Sequence, residues 1–214
     1  MPWIGERVQV EIWSDMVCPW CFIGKRRFEQ ALADHRDRDQ VTVVHRAFQL
    51  DPAASSDGIP TVDVLARKYD ITVPQAVDMM SDVSDTAAEV GLHYRLADTI
   101  NGNTADAHRA VLWAQERGRG SALLEALFSA YFERALPVFT VDELRPIVAS
   151  VGLDPEAASL MLDTDAFREQ VVDDQIAAGQ LGARGVPFFV FDRRFAVAGA
   201  QSVATFTAAL TGDR

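Results

Sequence analysis

This 214-residue sequence predicts an α/β fold interrupted by a block of helices, and three stretches carry that prediction. Near the start, Val8-Gln9-Val10-Glu11-Ile12-Trp13 alternates apolar and polar side chains as a strand does, and a helical stripe follows. Between residues 60 and 164 the apolar spacing is helical, punctuated by capping boxes. Near the end, Val186-Pro187-Phe188-Phe189-Val190-Phe191 and Phe195-Ala196-Val197-Ala198 flank a turn at Asp192-Arg193-Arg194, which reads as a hairpin. The predicted order is β-α-β, a helical insert, then α-β-β-α. Residues 1–50 and 165–214 make one discontinuous domain, with 60–164 inserted into it.

The first strand runs into Ser14-Asp15-Met16-Val17-Cys18-Pro19-Trp20-Cys21-Phe22-Ile23-Gly24, which holds the chain's only two cysteines. Downstream, Phe22, Phe28, Ala31 and Leu32 fit one stripe of a helix ending near Asp34. Pro19 suits the first helical position, where it has no N–H to lose. The cysteines therefore fall at a strand-to-helix junction. Unpaired N–H groups and the macrodipole make that end of a helix favour negative charge, and thiolate is the reactive form of cysteine. Cys21 lies three residues on, along the same helical face, within reach of Cys18 after a small adjustment of the first turn. Cys18 is thus the nucleophile toward a partner disulfide, and Cys21 the thiol that resolves the mixed disulfide. Half a zinc site is the first rival, but no second cysteine pair and no His-x₃₋₅-His exists among His35, His45, His93 and His108. No metal is expected. An inert structural disulfide is the second, yet a chain of this length buries its own core and gains little from so short a loop.

The polar run at 34–39 breaks the cysteine helix, and 41–48 forms a second strand, joined by a right-handed parallel crossover. His45 on that strand is read as a packed or edge histidine. Residues 51–60 are a loop by composition. Val62, Leu65, Ala66 and Tyr69 mark a short helix, and Thr72 with Gln75 caps another that Gly91 ends. Asn103 or Thr104 caps a helix running to about Arg117. Leu123, Leu124, Leu127, Phe128, Tyr131 and Phe132 form the insert's core. Thr140 with Glu143 opens a further helix, in which Pro146 implies a kink or a later start. Asp154-Pro155 caps the next, and the last insert-side helix spans about Asp165 to Leu181. Gly199-Ala200-Gln201-Ser202 leads into a final helix ending near Leu210. Gly118-Arg119-Gly120 lacks the third glycine and the preceding strand of a dinucleotide loop.

A formal charge of −11 argues against nucleic acid and anionic membrane surfaces as partners. No apolar stretch reaches the length of a membrane span. Residues 1–7 show neither a basic n-region nor an apolar h-region, so the expected compartment is the cytoplasm, where a Cys-x-x-Cys is usually catalytic.

Pro187 opens its strand, and the predicted topology turns that strand start toward the Cys18 helix end. A cis Val186–Pro187 bond there holds backbone against the sulfurs and leaves the Val186 backbone free to pair with an extended substrate. Cys-Pro-Trp-Cys after a strand, together with Gly185-Val186-Pro187-Phe188-Phe189-Val190, resembles the thioredoxin superfamily. The helical insert resembles its DsbA branch. Asn103-Thr104 with Ala107-His108-Arg109, and Gly199-Ala200-Gln201, are similar to the FrnE-type subgroup. That resemblance implies a thioredoxin fold with a large helical insertion, a nucleophilic Cys18, a resolving Cys21 and a cis Pro187. Pro19, Trp20, Val186 and Pro187 complete the expected substrate site. Trp20 shields the disulfide and offers a flat apolar contact.

The expected activity is thiol–disulfide exchange on protein disulfides or dithiols, with no cofactor beyond the redox-active pair and glutathione as candidate co-substrate. Kappa-class glutathione transferases and hydroxychromene-carboxylate isomerases are relatives that carry serine where Cys18 stands. A glutathione-dependent transferase or isomerase is therefore the second reading, and a chaperone-like binding protein the third. Asp15 is read as a turn or helix-start cap before a group that tunes the thiol, and His108 as a packed or surface residue. Neither joins the expected site.

Overall fold

The computed structural model describes residues 7–212. The opening Met1-Pro2-Trp3-Ile4-Gly5-Glu6, on which the compartment reading partly rests, lies outside the described residues. The chain begins with β1 (Val8–Ser14), α1 (Pro19–Ala33) and β2 (Val41–Ala47). Next come β3 (Ile59–Pro60), α2 (Thr61–Tyr69), α3 (Val73–Ala88), β4 (Ile100–Asn101), α4 (Ala105–Gln115), α5 (Gly120–Phe128), α6 (Val141–Ser150) and α7 (Pro155–Leu162). It closes with α8 (Arg168–Gln180), β5 (Phe188–Phe191), β6 (Phe195–Ala198) and α9 (Val203–Thr211). The main sheet has the order β2-β1-β5-β6, and β3 pairs β4 separately. β2 runs parallel to β1 from Val8↔Val41 to Ser14↔Ala47, and β5 runs antiparallel to β1 with Trp13 opposite Phe188. The mixed α/β architecture predicted from the sequence is present.

β1 is central and covered on both faces, so its alternation does not leave a wet side. Glu11 is buried but accepts from Arg46 at 2.7 Å and from Arg193 at 2.8 Å. Burial alone would push its carboxyl up; the Arg193 and Arg46 guanidiniums outweigh that and hold it below its usual value. On the same face as Glu11, Trp13 packs against Phe188, and its indole N–H donates to the Asp174 carbonyl at 2.7 Å, while Val10 and Ile12 on the other face pack with Phe28 and Phe189.

α1 corrects one reading. Phe22 does not share a stripe with Phe28, Ala31 and Leu32. Phe22 enters the insert core, 5.1 Å from the Phe128 ring centroid, with Phe132 and Tyr94 beside it. Phe28 enters the sheet core instead, at 5.6 Å from Phe189 and 5.7 Å from Phe206. The first half of the helix lies against helices and the second against the sheet and α9, so successive turns bury different faces. Lys25, buried beside Phe22, is neutralised by Glu29 at 2.6 Å and by Glu125 of α5 at 2.5 Å.

Two boundaries differ from expectation, and a third lies where its capping box put it. α8 starts at Arg168 rather than Asp165, because residues before it turn inward: the Thr164 and Ala166 carbonyls accept from the buried Arg109, and Phe167 takes a positive φ of 64°. β5 starts at Phe188, not Val186, since Pro187 has no N–H for the ladder and the Val186 carbonyl turns to Cys18. α6 starts no later for its proline: it runs through Pro146 from Val141, with Glu143 accepting from Thr140 N–H at 2.9 Å. Among the described residues no helix is long and apolar enough to cross a membrane.

His45 gives a pH prediction. Its Nε2 lies 2.7 Å from Ser121 Oγ, while its buried Nδ1 has no partner. Burial, reinforced by the Lys25 charge, lowers its pKa to about 3 from the ordinary 6.5. The unfolded chain therefore binds a proton here between those values that the folded chain refuses. Stability should fall as pH drops below about 6.5 and keep falling toward pH 3. Urea midpoints measured across this range should fall less steeply in His45→Gln. A slope unchanged by that substitution would exclude His45 as the source.

Candidate active site

β1 ends at Ser14, and a three-residue link, Asp15 to Val17, reaches Cys18, which stands immediately before the first residue of α1. The link is a tight turn: Cys18 N–H donates to the Asp15 carbonyl at 3.1 Å, and Cys21 N–H donates to the Cys18 carbonyl at 3.0 Å. Pro19 occupies the first helical position, and its carbonyl accepts from the Tyr94 hydroxyl at 2.8 Å. Both cysteines are free thiols.

From the other half of the chain, residues 182–187 bring Val186 to the sulfurs. Cys18 Sγ–H donates to the Val186 carbonyl at 3.5 Å, and the Val186–Pro187 bond is cis. The Val186 carbonyl is thus engaged by the thiol, where the sequence reading had that backbone free. Pro187 is buried behind it, its carbonyl accepting from Gly199 N–H at 2.8 Å. Gly24 of α1 fits under this loop because it lacks a side chain: a Cβ there would lie 2.9 Å from Pro187 Cγ.

A cavity of about 750 Å³ opens between this junction and the insert. Cys18, Pro19, Trp20 and Val186 line one side, with Val64, Leu65 and Met79 of α2 and α3 among the residues opposite. Cys18 is only 5% exposed, yet it forms part of that wall; Trp20 is 40% exposed. Cys21, at 1% exposure, is absent from the wall, as is Pro187. The two sulfurs are therefore unequal. Burial, then the hydrogen bond and charge of Cys18, push the Cys21 thiol well up.

Three lining residues were not picked out by sequence. Asp15, read as a cap, gives its carbonyl to the turn and is among the residues lining the cavity, with its buried carboxylate Oδ2 accepting from Leu50 N–H at 2.7 Å. Tyr131 sits on a π-helical turn, Ser129–Glu133, and donates to the Ile100 carbonyl at 2.8 Å. Thr104 lies on the wall at the start of α4. Tyr94, behind the wall, also went unmarked; burial and the charges of Cys18 and Cys21 push its hydroxyl up, so it stays a donor. The spacing of Asp15 to Cys18 was the one signal on offer for these.

A strand that hands its chain to a helix at Cys-x-x-Cys, beside a proline loop that enters the neighbouring strand of a mixed sheet, defines a thioredoxin-like dithiol protein. The chain belongs to the DSBA-like thioredoxin domain family, whose model matches residues 9–211. It is similar to a solved structure called "probable DsbA oxidoreductase" from Streptomyces coelicolor, at 44% identity over 96% of this chain and 89% of that one, with a TM-score of 0.92. A 2-hydroxychromene-2-carboxylate isomerase shares the fold at 15% identity, TM-score 0.71, covering 94% of each chain. So does the cytosolic disulfide reductase DsbM from Pseudomonas aeruginosa, solved with GSH, at 18% identity and TM-score 0.64, covering 94% of this chain and 93% of that one.

Proposed function

We propose that this member of the DsbA-like oxidoreductase family reduces or isomerises disulfides in proteins through Cys18 and Cys21. The observation that carries the reading is the asymmetry of the pair: Cys18 lies on a cavity wall at a helix start, and Cys21 lies one turn deeper with its thiol pushed up. Attack by the Cys18 thiolate on a partner disulfide forms a mixed disulfide and expels one partner thiolate. Attack by Cys21 on Cys18 Sγ then forms the intramolecular disulfide and expels the second, so the partner gains two electrons and the pair loses two. The pair is returned to the dithiol by an outside reductant, for which we propose glutathione. Trp20 offers the partner a flat apolar surface, and Pro19, Val186 and Pro187 shape the ground around the sulfur. The Asn103-Thr104, Ala107-His108-Arg109 and Gly199-Ala200-Gln201 motifs support placement in the FrnE-type branch, and we propose a cytoplasmic location.

An insulin-reduction assay comparing wild type with Cys18→Ala tests this. Equal rates in the two would overturn it. A second reading, glutathione-dependent transfer or isomerisation of a small molecule, draws on the largely apolar cavity enclosed by α2 and α3. Glutathione-dependent turnover that survives Cys21→Ser would favour it.

A further inference from the structure

The loop between β2 and β3 is tied to the rest of the fold by polar contacts, and Asn103 is their centre. Residues 49–55 form no helix or strand, and among the described residues Leu50, Ala53 and Ala54 join none of the buried apolar clusters. A segment with so little apolar anchorage depends on its hydrogen bonds to stay in place. Asn103, just before α4, uses both ends of its amide. Its Nδ2 donates to the Pro52 carbonyl at 3.0 Å and to the Ala54 carbonyl at 3.1 Å. Its Oδ1 accepts from Gln49 Nε2 at 3.1 Å and from Ala105 N–H at 2.9 Å. Its own N–H donates to the Ser55 carbonyl at 3.2 Å. At the near end of the loop, Gln175 of α8 pairs with the Gln49 N–H and carbonyl, and Leu50 N–H donates to Asp15.

This loop forms part of the Cys18 cavity: Leu50, Asp51, Ala54 and Ser55 line it together with Cys18 and Trp20. Leu50 is 44% exposed, as uncovered as Trp20, so the loop holds out a large apolar side chain over the cavity that contains the reacting sulfur. Resting on the thiol–disulfide reading above, we propose that Asn103 is a positioning residue that clamps residues 49–55 as a fixed wall, so that Leu50 meets an apolar side chain of the disulfide-bearing polypeptide. The clamp sets how tightly such a partner is held. It leaves the chemistry of Cys18 alone, because none of the Asn103 hydrogen bonds reaches either cysteine. With the clamp gone, the loop must be ordered at the moment of binding, and that entropy cost weakens affinity for the partner. A small electrophile that touches only the sulfur does not meet this cost.

The test measures insulin reduction by the full-length protein, with dithiothreitol returning the pair to the dithiol, alongside alkylation of reduced Cys18 by iodoacetamide. Asn103→Asp separates the clamp from the helix cap. Aspartate still accepts from Ala105 N–H and serves a helix start as well as asparagine does, but it sets an oxygen against the Pro52 and Ala54 carbonyls. In Asn103→Asp the KM for insulin should rise about tenfold, with kcat and the alkylation rate within about threefold of wild type. Leu50→Ser keeps the backbone N–H that meets Asp15 and should raise KM by about the same factor, the scale of one lost leucine contact. Leu50 is exposed, so this variant decides the matter even if Asn103→Asp fails to fold. The double variant should bind insulin within about threefold of the weaker single variant, because Asn103 acts through Leu50. A KM within about threefold of wild type in either folded single variant, an alkylation rate that falls as far as KM rises, or effects that multiply in the double variant would overturn the clamp. A wild type that is alkylated at Cys18 but reduces no insulin would instead defeat the thiol–disulfide reading itself.

Discussion

Cys18→Ala should bring insulin reduction down to background, a loss of roughly a thousandfold or more, because no other group can form the mixed disulfide. Cys21→Ala should fail differently. Its first step survives, since Cys18 remains on the cavity wall at the start of α1. Its second cannot occur, so one partner chain should stay covalently bound to Cys18. A non-reducing gel should then show a protein–partner adduct that a small thiol dissolves. The two outcomes follow from depth: Cys18 meets the cavity, whereas Cys21 is 1% exposed and reaches only Cys18. An adduct through Cys21 in a Cys18→Ala background would reverse the assignment.

Arg109→Ala should cost more stability than other single changes in the insert. Arg109 is 1% exposed, and its guanidinium holds together a chain reversal. It donates to the Ala166 carbonyl at 2.8 Å, the Leu162 and Met161 carbonyls at 3.2 Å each, the Thr164 carbonyl at 2.5 Å and Asp106 at 2.7 Å. Those carbonyls include orphans at the C-terminal end of α7, which have no helical N–H to meet. Truncation deprives the buried Leu162 carbonyl and the Thr164 and Ala166 carbonyls of their donor and leaves a void where the guanidinium stood, a combination that costs about 3–5 kcal/mol. For a chain of this size that corresponds to a fall in Tm of roughly 10 °C. Arg109→Lys should recover little, because a lysine ammonium cannot spread donors over so wide an arc. Urea unfolding of the three proteins checks this, and an alanine variant within about 1 kcal/mol of wild type would refute it. The Ala107-His108-Arg109 stretch thus meets two parts of the fold: its arginine braces the chain reversal after α7, and its histidine lies 3.5 Å from Asp15.

Much of the architecture was legible because it is local. Val8 to Trp13 alternates, Thr72 with Gln75 caps a helix whose box is formed, and Asp154 caps α7 through Glu156 N–H. Each signal concerns residues within about one helical turn, the range over which backbone propensity and capping act. The helix stripe of α1 misled for the same reason. Periodicity reports which residues are apolar, but it does not say that Phe22 and Phe28 meet different neighbours.

The sequence by itself determined where the chemistry sits: two thiols at a strand-to-helix junction, with a proline loop far along the chain to meet them. Tertiary packing alone decided their inequality, the cavity before Cys18, the Arg109 brace and the approach of His108 to Asp15. The last pair is separated by more than ninety residues, and no local rule of spacing or propensity links them. Their distance is set by how α4 seats against the sheet and its neighbouring helices, a property of the folded core as a whole.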